Sequence, residues 1–140
     1  MTLDATGFRD LMSTLADAWA RLDADAAIAC FTDDAVYMQP PDLQFYEGRD
    51  QLRSYFGALT EGTYLDFHGI WFDEVRQVGC AEFSFGVRGR PEADHGAIVL
   101  TLRDDLIAVW REYVQPGPAD FGAFVASEGK AWKWHIANYP

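Results

Sequence analysis

Four successive residues near the C-terminal third, Trp110-Arg111-Glu112-Tyr113, combine two rings, a cation and a carboxylate. They lie inside the stretch Ile107 to Val114, which otherwise reads as a strand. Side chains alternate faces along a strand, so Trp110 and Glu112 project one way and Arg111 and Tyr113 the other. A carboxyl group beside a tryptophan on a concave apolar surface loses solvation of its charged form, and its pKa rises. Such a group can take and return a proton near neutral pH. On a solvated face the same pair does no chemistry. Which face is concave decides the matter.

Other polar residues offer weaker chemistry. Tyr37 can donate to a substrate oxygen or fix a water, or it is a core tyrosine with a satisfied hydroxyl. His68, in Asp66-Phe67-His68, is a general acid/base candidate against the plainer reading of a rim or partly buried histidine. His95 falls in a polar hairpin approach, Pro91 to Gly96. The histidines are far apart, with no HxH or HExxH, so no metal site is expected. Cys30 and Cys80 lack a CxxC spacing and read as buried free thiols. Gly86, Gly89 and Gly96 do not form a dinucleotide loop, and no Ser-His-Asp pattern is present. No cofactor is expected.

The elements that must position these groups follow from periodicity. Phe8, Leu11, Met12, Leu15, Trp19 and Leu22 recur at helical spacing. Asp23 can cap a second helix, Ala24 to Phe31. Thr32-Asp33-Asp34 reads as a turn and Ala35 to Met38 as a short strand stopped by Pro40-Pro41, with a loop onward to Gly48. Leu52, Tyr55, Phe56 and Leu59 mark a third helix. Strands follow: Tyr64 to Val75, broken by Gly69; Cys80 to Arg88; and a hairpin of Gly96 to Leu102 with Ile107 to Val114. Pro116-Gly117-Pro118 ends the last strand, before a short helix, Ala119 to Ser127, and an aromatic tail with Trp132, Trp134 and Tyr139. Trp132 and Trp134 could cover a pocket mouth or a dimer groove, or simply pack a terminal strand. Helices first and strands after predict an α+β fold, with three helices on one face of a bent sheet and a pocket between them.

A chain of 140 residues is one domain by size, with residues 116–140 as a C-terminal extension of it. Its hydrophobic fraction of 49% suffices for a core. The net charge of −11 argues against nucleic acid, whose phosphates need basic patches, and against an anionic membrane surface. No apolar run approaches the length of a membrane span. The first residues lack the basic and apolar regions of a secretory signal, so a cytoplasmic location is expected.

The order of Phe31-Thr32-Asp33-Asp34-Ala35-Val36-Tyr37, Gly48-Arg49-Asp50, Ala81-Glu82 and Trp110-Arg111-Glu112-Tyr113 resembles the nuclear transport factor 2-like fold, in its SnoaL-like branch. The resemblance covers roughly Phe8 to Gln115. It implies a cone: a strongly curved, mostly antiparallel sheet packed on N-terminal helices and enclosing a pocket. That fold hosts cyclases, isomerases, epoxide hydrolases, binding modules and dimerisation domains, so the fold alone does not assign an activity.

Limonene epoxide hydrolases of this fold hold the attacking water with a Tyr and an Asn two residues on; Tyr37 and Gln39 stand at those places. Their last strand reads Trp-Arg-Asp-Tyr with a catalytic Asp, and here Glu112 takes that position. Their epoxide-activating Arg and Asp correspond to Phe83 and Phe85, which cannot donate a proton. The resemblance thus implies a water-holding half of the site without the epoxide-opening half. Another departure follows Tyr113, where many relatives read Phe-Asp and this chain reads Val114-Gln115.

The resemblance points Trp110 and Glu112 into the cavity. Alternation agrees, grouping Ala81, Phe83, Phe85 and Val87 on one face and Glu82 and Ser84 on the other. Glu82 and Arg111 are then expected to pair across adjacent strands on the convex side. With Tyr113 they would belong to a homodimer surface. The functional expectation is a cofactor-independent isomerase, cyclase or lyase acting on a small, largely apolar molecule. Glu112 would be the acid/base, Tyr37 and Gln39 the oxygen or water holders, and Trp19, Phe83, Phe85 and Trp110 the walls. The other reading is a non-catalytic binding or dimerisation module of the same fold.

Overall fold

The structure, a computed structural model, describes residues 2–126. Trp132 and Trp134 lie outside the described residues. Three helices open the chain or interleave with its first strands: α1 (Ala5–Ala20), α2 (Ala24–Ile28) and α3 (Gly48–Gly57). The strands are β1 (Phe31–Gln39), β2 (Gln44–Glu47), β3 (Thr63–Asp73), β4 (Val78–Val87), β5 (Glu92–Arg103) and β6 (Leu106–Pro118). A short α4 (Phe121–Val125) follows. The sheet runs β2-β1-β6-β5-β4-β3. Every neighbouring pair is antiparallel except β1 and β6, which are parallel. The sheet curves without closing and packs its inner face on the N-terminal helices, which is the expected α+β cone.

Local chemistry sets the element ends. Asp4 caps α1 by accepting from Gly7 N–H at 2.8 Å, and Asp23 caps α2 through Ala26 N–H at 3.0 Å. Gly48 starts α3 at φ +81°, a left-handed conformation that glycine adopts without cost. Beside it Arg49 donates to the Phe31 carbonyl at 2.9 Å and pairs with Asp33 at 2.8 Å, tying α3 to β1. The β5–β6 hairpin turns on Asp104 and Asp105, both at positive φ, as a two-residue turn requires.

The inner face is almost wholly apolar. Phe8, Met12, Leu15 and Trp19 of α1 are buried against it, with Leu52 and Phe56 of α3. Ala81, Phe83, Ile98, Leu100 and Trp110 face them from the sheet. Phe8 stacks on Phe72 with ring centroids 4.4 Å apart, and a Cβ on Gly79 would collide with the Phe8 ring. Glycine at 79 is therefore what lets α1 seat on β4.

Several expectations need correction. Residues 44–47 form an edge strand and not a loop, with Tyr37 opposite Tyr46 and Gln39 opposite Gln44. The Thr32-Asp33-Asp34 segment belongs to β1, whose pairing with β6 shifts register between Phe31 and Val36. β6 continues through the Pro116–Pro118 stretch. Its pairing with β1 ends at Arg111, so beyond it, among the described residues, β6 has β5 on one side only, and an edge tolerates proline. Glu82 and Arg111 do not pair. β5 separates their strands, and Glu82 aligns with Ala97 and then Tyr113, while Arg111 aligns with Val99. Arg111 Nε is buried without a partner among the described residues.

The Phe8 seat yields a prediction. Gly79→Ala forces Phe8 aside and costs about 1–3 kcal/mol of stability, as overpacking does. Urea unfolding measures it; wild-type stability in the variant would mean that Phe8 does not anchor α1 there.

Candidate active site

Parallel pairing of β1 with β6 sets the site. Tyr37 lies opposite Trp110, and their rings stack at 5.3 Å with an interplanar angle of 8°. Two residues on, Glu112 projects from the same inner face. The Tyr37 hydroxyl donates to Glu112 Oε2 at 3.3 Å, and Trp110 Nε1 donates to the same oxygen at 3.1 Å. Two donors therefore hold Oε2. Oε1 has no hydrogen-bond partner among the described residues. Glu112 is only 7% exposed.

That carboxyl opens onto a cavity of about 220 Å³ between the sheet and the helices. Glu112, Tyr37, Gln39, Trp19, Phe83 and Phe85 all line it. Trp110 does not. It is fully buried behind the carboxylate, so it positions Glu112 and forms no wall.

Five lining residues were not named as site residues by sequence: the apolar Leu59 and Val114, and three that carry polar groups. Asp94 brings a second carboxylate, from β5. Alternation back from Leu100 and Ile98 through Gly96 would have placed it on the inner face, had β5 been started before Gly96. Tyr55 reaches the cavity from α3, where its spacing marked only a helix face. Gln44 comes from the overlooked β2, and its Nε2 donates to the Tyr46 hydroxyl at 3.3 Å.

Burial is the main force on these groups. It lifts the Glu112 carboxyl from its ordinary 4.5 to about 6. Hydrogen bonds from Trp110 and Tyr37 oppose the rise, and the Asp94 charge adds to it. Burial also lifts Tyr55 to about 12, with the Glu112 charge next, and holds Tyr37 well above the usual phenol range. Both phenols are thus donors at neutral pH. Trp19 Nε1 is buried without a partner. The Cys30 thiol, pushed up to about 11 by burial, is inert.

His68 stands apart from this cluster. Phe67 aligns with the inward Phe83, and alternation sends His68 to the outer face. There His68 Nε2 lies 2.6 Å from Ser84 Oγ, which lies 2.6 Å from His95 Nδ1, and His95 Nε2 is 2.6 Å from the Pro118 carbonyl. A carbonyl only accepts, so His95 Nε2 carries a proton. With both imidazoles neutral, Ser84 donates to His95 and His68 donates to Ser84. Phe121 of α4 stacks on His68 at 3.6 Å, and Phe124 stacks on His95 at 4.2 Å. His95 belongs to β5 and is buried, not in a polar approach to a hairpin.

Among the described residues no three His, Cys, Asp or Glu gather as metal ligands would. No helix among them is long and apolar enough to cross a membrane.

The raised carboxyl makes stability depend on pH. Folding strengthens the hold of Glu112 on its proton, so its contribution is complete below about pH 4.5 and is lost as pH rises through about 6. The difference is about 2 kcal/mol. Glu112→Gln removes that loss. The variant is expected to unfold at higher urea concentration than wild type at pH 7.5 and at a similar one at pH 4.5. An equal offset at both pH values would refute the burial account.

Comparison with known proteins agrees with this architecture. No curated protein sequence gives a significant match. Among solved structures, a protein of unknown function with a cystatin-like fold from Methylobium petroleophilum superposes with a TM-score of 0.74 at 18% identity, covering 100% of this chain and 99% of that one. A Kribbella flavida protein designated a ketosteroid isomerase gives 0.68 at 16% identity, covering 82% of each chain. The epoxide hydrolase/cyclase-like enzyme of pyran-ring formation in the polyether salinomycin gives 0.70 at 17% identity, covering 82% of this chain and 98% of that one. At such identities the likeness is one of fold. The SnoaL-like domain model matches residues 13–110, from the middle of α1 to the tryptophan behind Glu112, and the chain belongs to the SnoaL-like family.

Proposed function

We propose that this protein is a cofactor-independent enzyme that moves a proton on a small, largely apolar molecule held in the inner cavity. The observation that carries the reading is the Glu112 carboxyl: buried, fixed through Oε2 by two donors, with Oε1 unpartnered among the described residues. A module that only binds apolar ligands needs the rings of Phe83, Phe85 and Trp19 but not a desolvated carboxyl with oriented partners. The likeness in fold to a designated ketosteroid isomerase and to an epoxide hydrolase/cyclase-like enzyme is compatible with isomerase or cyclase chemistry.

In this reading Glu112 Oε1 takes the proton from a carbon and returns it to the product. Tyr37 and Tyr55 keep their protons, and their hydroxyls lie near enough to Glu112 to follow its charge. Gln39 orients a substrate oxygen or a water from the cavity wall. Phe83 and Phe85 exclude water. They cannot protonate an epoxide oxygen, so proton transfer on an intact carbon skeleton, or ring closure, fits better than epoxide opening.

Glu112→Gln is expected to lower kcat by about 10²–10⁴ with the fold intact by circular dichroism. For a rate-limiting base step, kcat/KM rises with pH through about 6, as the carboxylate forms. For an acid step it falls over the same interval. Unchanged turnover in Glu112→Gln, once a substrate is in hand, removes Glu112 from the mechanism.

We also propose that the outer face pairs two copies of the chain. Trp71 at 60% and Tyr113 at 49% exposure present large apolar surface there. Sedimentation velocity is expected to give a dimer for wild type and a monomer for Tyr113→Lys; a wild-type monomer at micromolar concentration refutes it.

A further inference from the structure

The cavity that holds Glu112 has an unusual pairing of charge and wall. Two carboxylates line it, Glu112 from β6 and Asp94 from β5. Five of the lining residues are aromatic, Trp19, Tyr37, Tyr55, Phe83 and Phe85. The described lining contains no Lys, Arg or His. The ion pairs among the described residues all lie elsewhere and involve exposed side chains. Among the described residues neither carboxylate therefore has a cationic partner. Glu112 Oε1, on a residue more than nine-tenths buried, has no hydrogen-bond partner among the described residues.

Aromatic faces carry negative potential and attract organic cations, and the attraction strengthens when the site is dry. The two carboxylates add a longer-range field of the same sign. An anion in this cavity would meet both fields unfavourably. A neutral hydrocarbon would fill the volume but leave two carboxylates near it uncompensated. The net charge of −11 on the chain favours approach of a cation from solution.

We propose that the cavity takes a small organic cation, a tertiary or quaternary ammonium, between Glu112 and Asp94 and against the aromatic walls. The proposal rests on the cavity being the working site and names the substrate class of that site. Size agrees. A cavity of about 220 Å³ has room for a compact alkylammonium.

Binding of a cation beside Glu112 must couple to its proton. The ionisable groups facing Glu112 are Asp94 from β5, Tyr37 from β1 and Tyr55 from α3. Of these the phenols stay protonated at neutral pH. Affinity for a cation should thus weaken as pH falls from 7.5 to 5, where Glu112 takes up its proton.

The test uses the full chain and an isosteric pair of probes, choline and 3,3-dimethylbutan-1-ol, which differ by nitrogen for carbon at the charged centre. Titration calorimetry or ligand-observed NMR at pH 7.5 is expected to show choline bound at least tenfold more tightly than the alcohol. That preference should shrink severalfold at pH 5, and in Asp94→Asn and Glu112→Gln proteins that keep wild-type circular dichroism. Equal or tighter binding of the alcohol, absence of choline binding at 10 mM, or an undiminished preference in both variants overturns the proposal. The wild-type comparison needs no variant, so misfolding of either variant cannot mask the result. Failure here leaves the acid/base reading standing, because that reading falls only if Glu112→Gln keeps its turnover.

Discussion

The parallel contact between β1 and β6 is the constraint on which the site depends. It joins an early strand to the last one, and its register puts Tyr37 opposite Trp110. Everything at the carboxylate follows from that register. A slip of one residue would turn Tyr37 outward, and Oε2 would lose a donor while remaining buried. A buried carboxylate without its hydrogen bonds is costly. The stacked rings of Tyr37 and Trp110 add a packing preference to the same alignment. Sheet topology and site chemistry are thus fixed by one contact.

The helices serve this contact from the other side. α1 is seated at one end by Phe8 on Phe72 and reaches the cavity at the other end with Trp19. α3 is tied to β1 through Arg49, which spans the Phe31 carbonyl and Asp33, and it brings Tyr55 to the cavity. These attachments leave a space that packing alone would have filled. Its apolar walls raise the Glu112 pKa, and the residues that hold Oε2 limit the rise.

Much of this was legible from residue order. Alternation along β6 and β4 separated Glu112 and Phe83 from Arg111 and Glu82, because strand period is rigid. The helical spacing of Phe8 to Trp19 placed α1. What was not legible depended on partners. Period alone does not say which strands are neighbours, so Glu82 and Arg111 seemed able to meet although β5 lies between them. Residues 44–47 form an edge strand held by one neighbour, and four residues give too short a pattern to recognise. Asp94 was hidden because proline and glycine around it suggested a turn, whereas β4 and β6 extend the strand from both sides. His68 lies outside the cavity, on the outer face, because it follows the inward Phe67 along β3.

The fixing of Oε2 has a stereochemical consequence. A carboxylate with both oxygens free can approach a substrate from either, by rotation. Here Tyr37 and Trp110 lock the plane of the group, and a single oxygen looks into the cavity. In the proposed reaction, a hydrogen removed by that oxygen would be redelivered from the same side. Rearrangement at this site would be suprafacial, and a deuterium label lifted from one carbon would appear in part on the next, diluted only as far as water reaches the carboxyl.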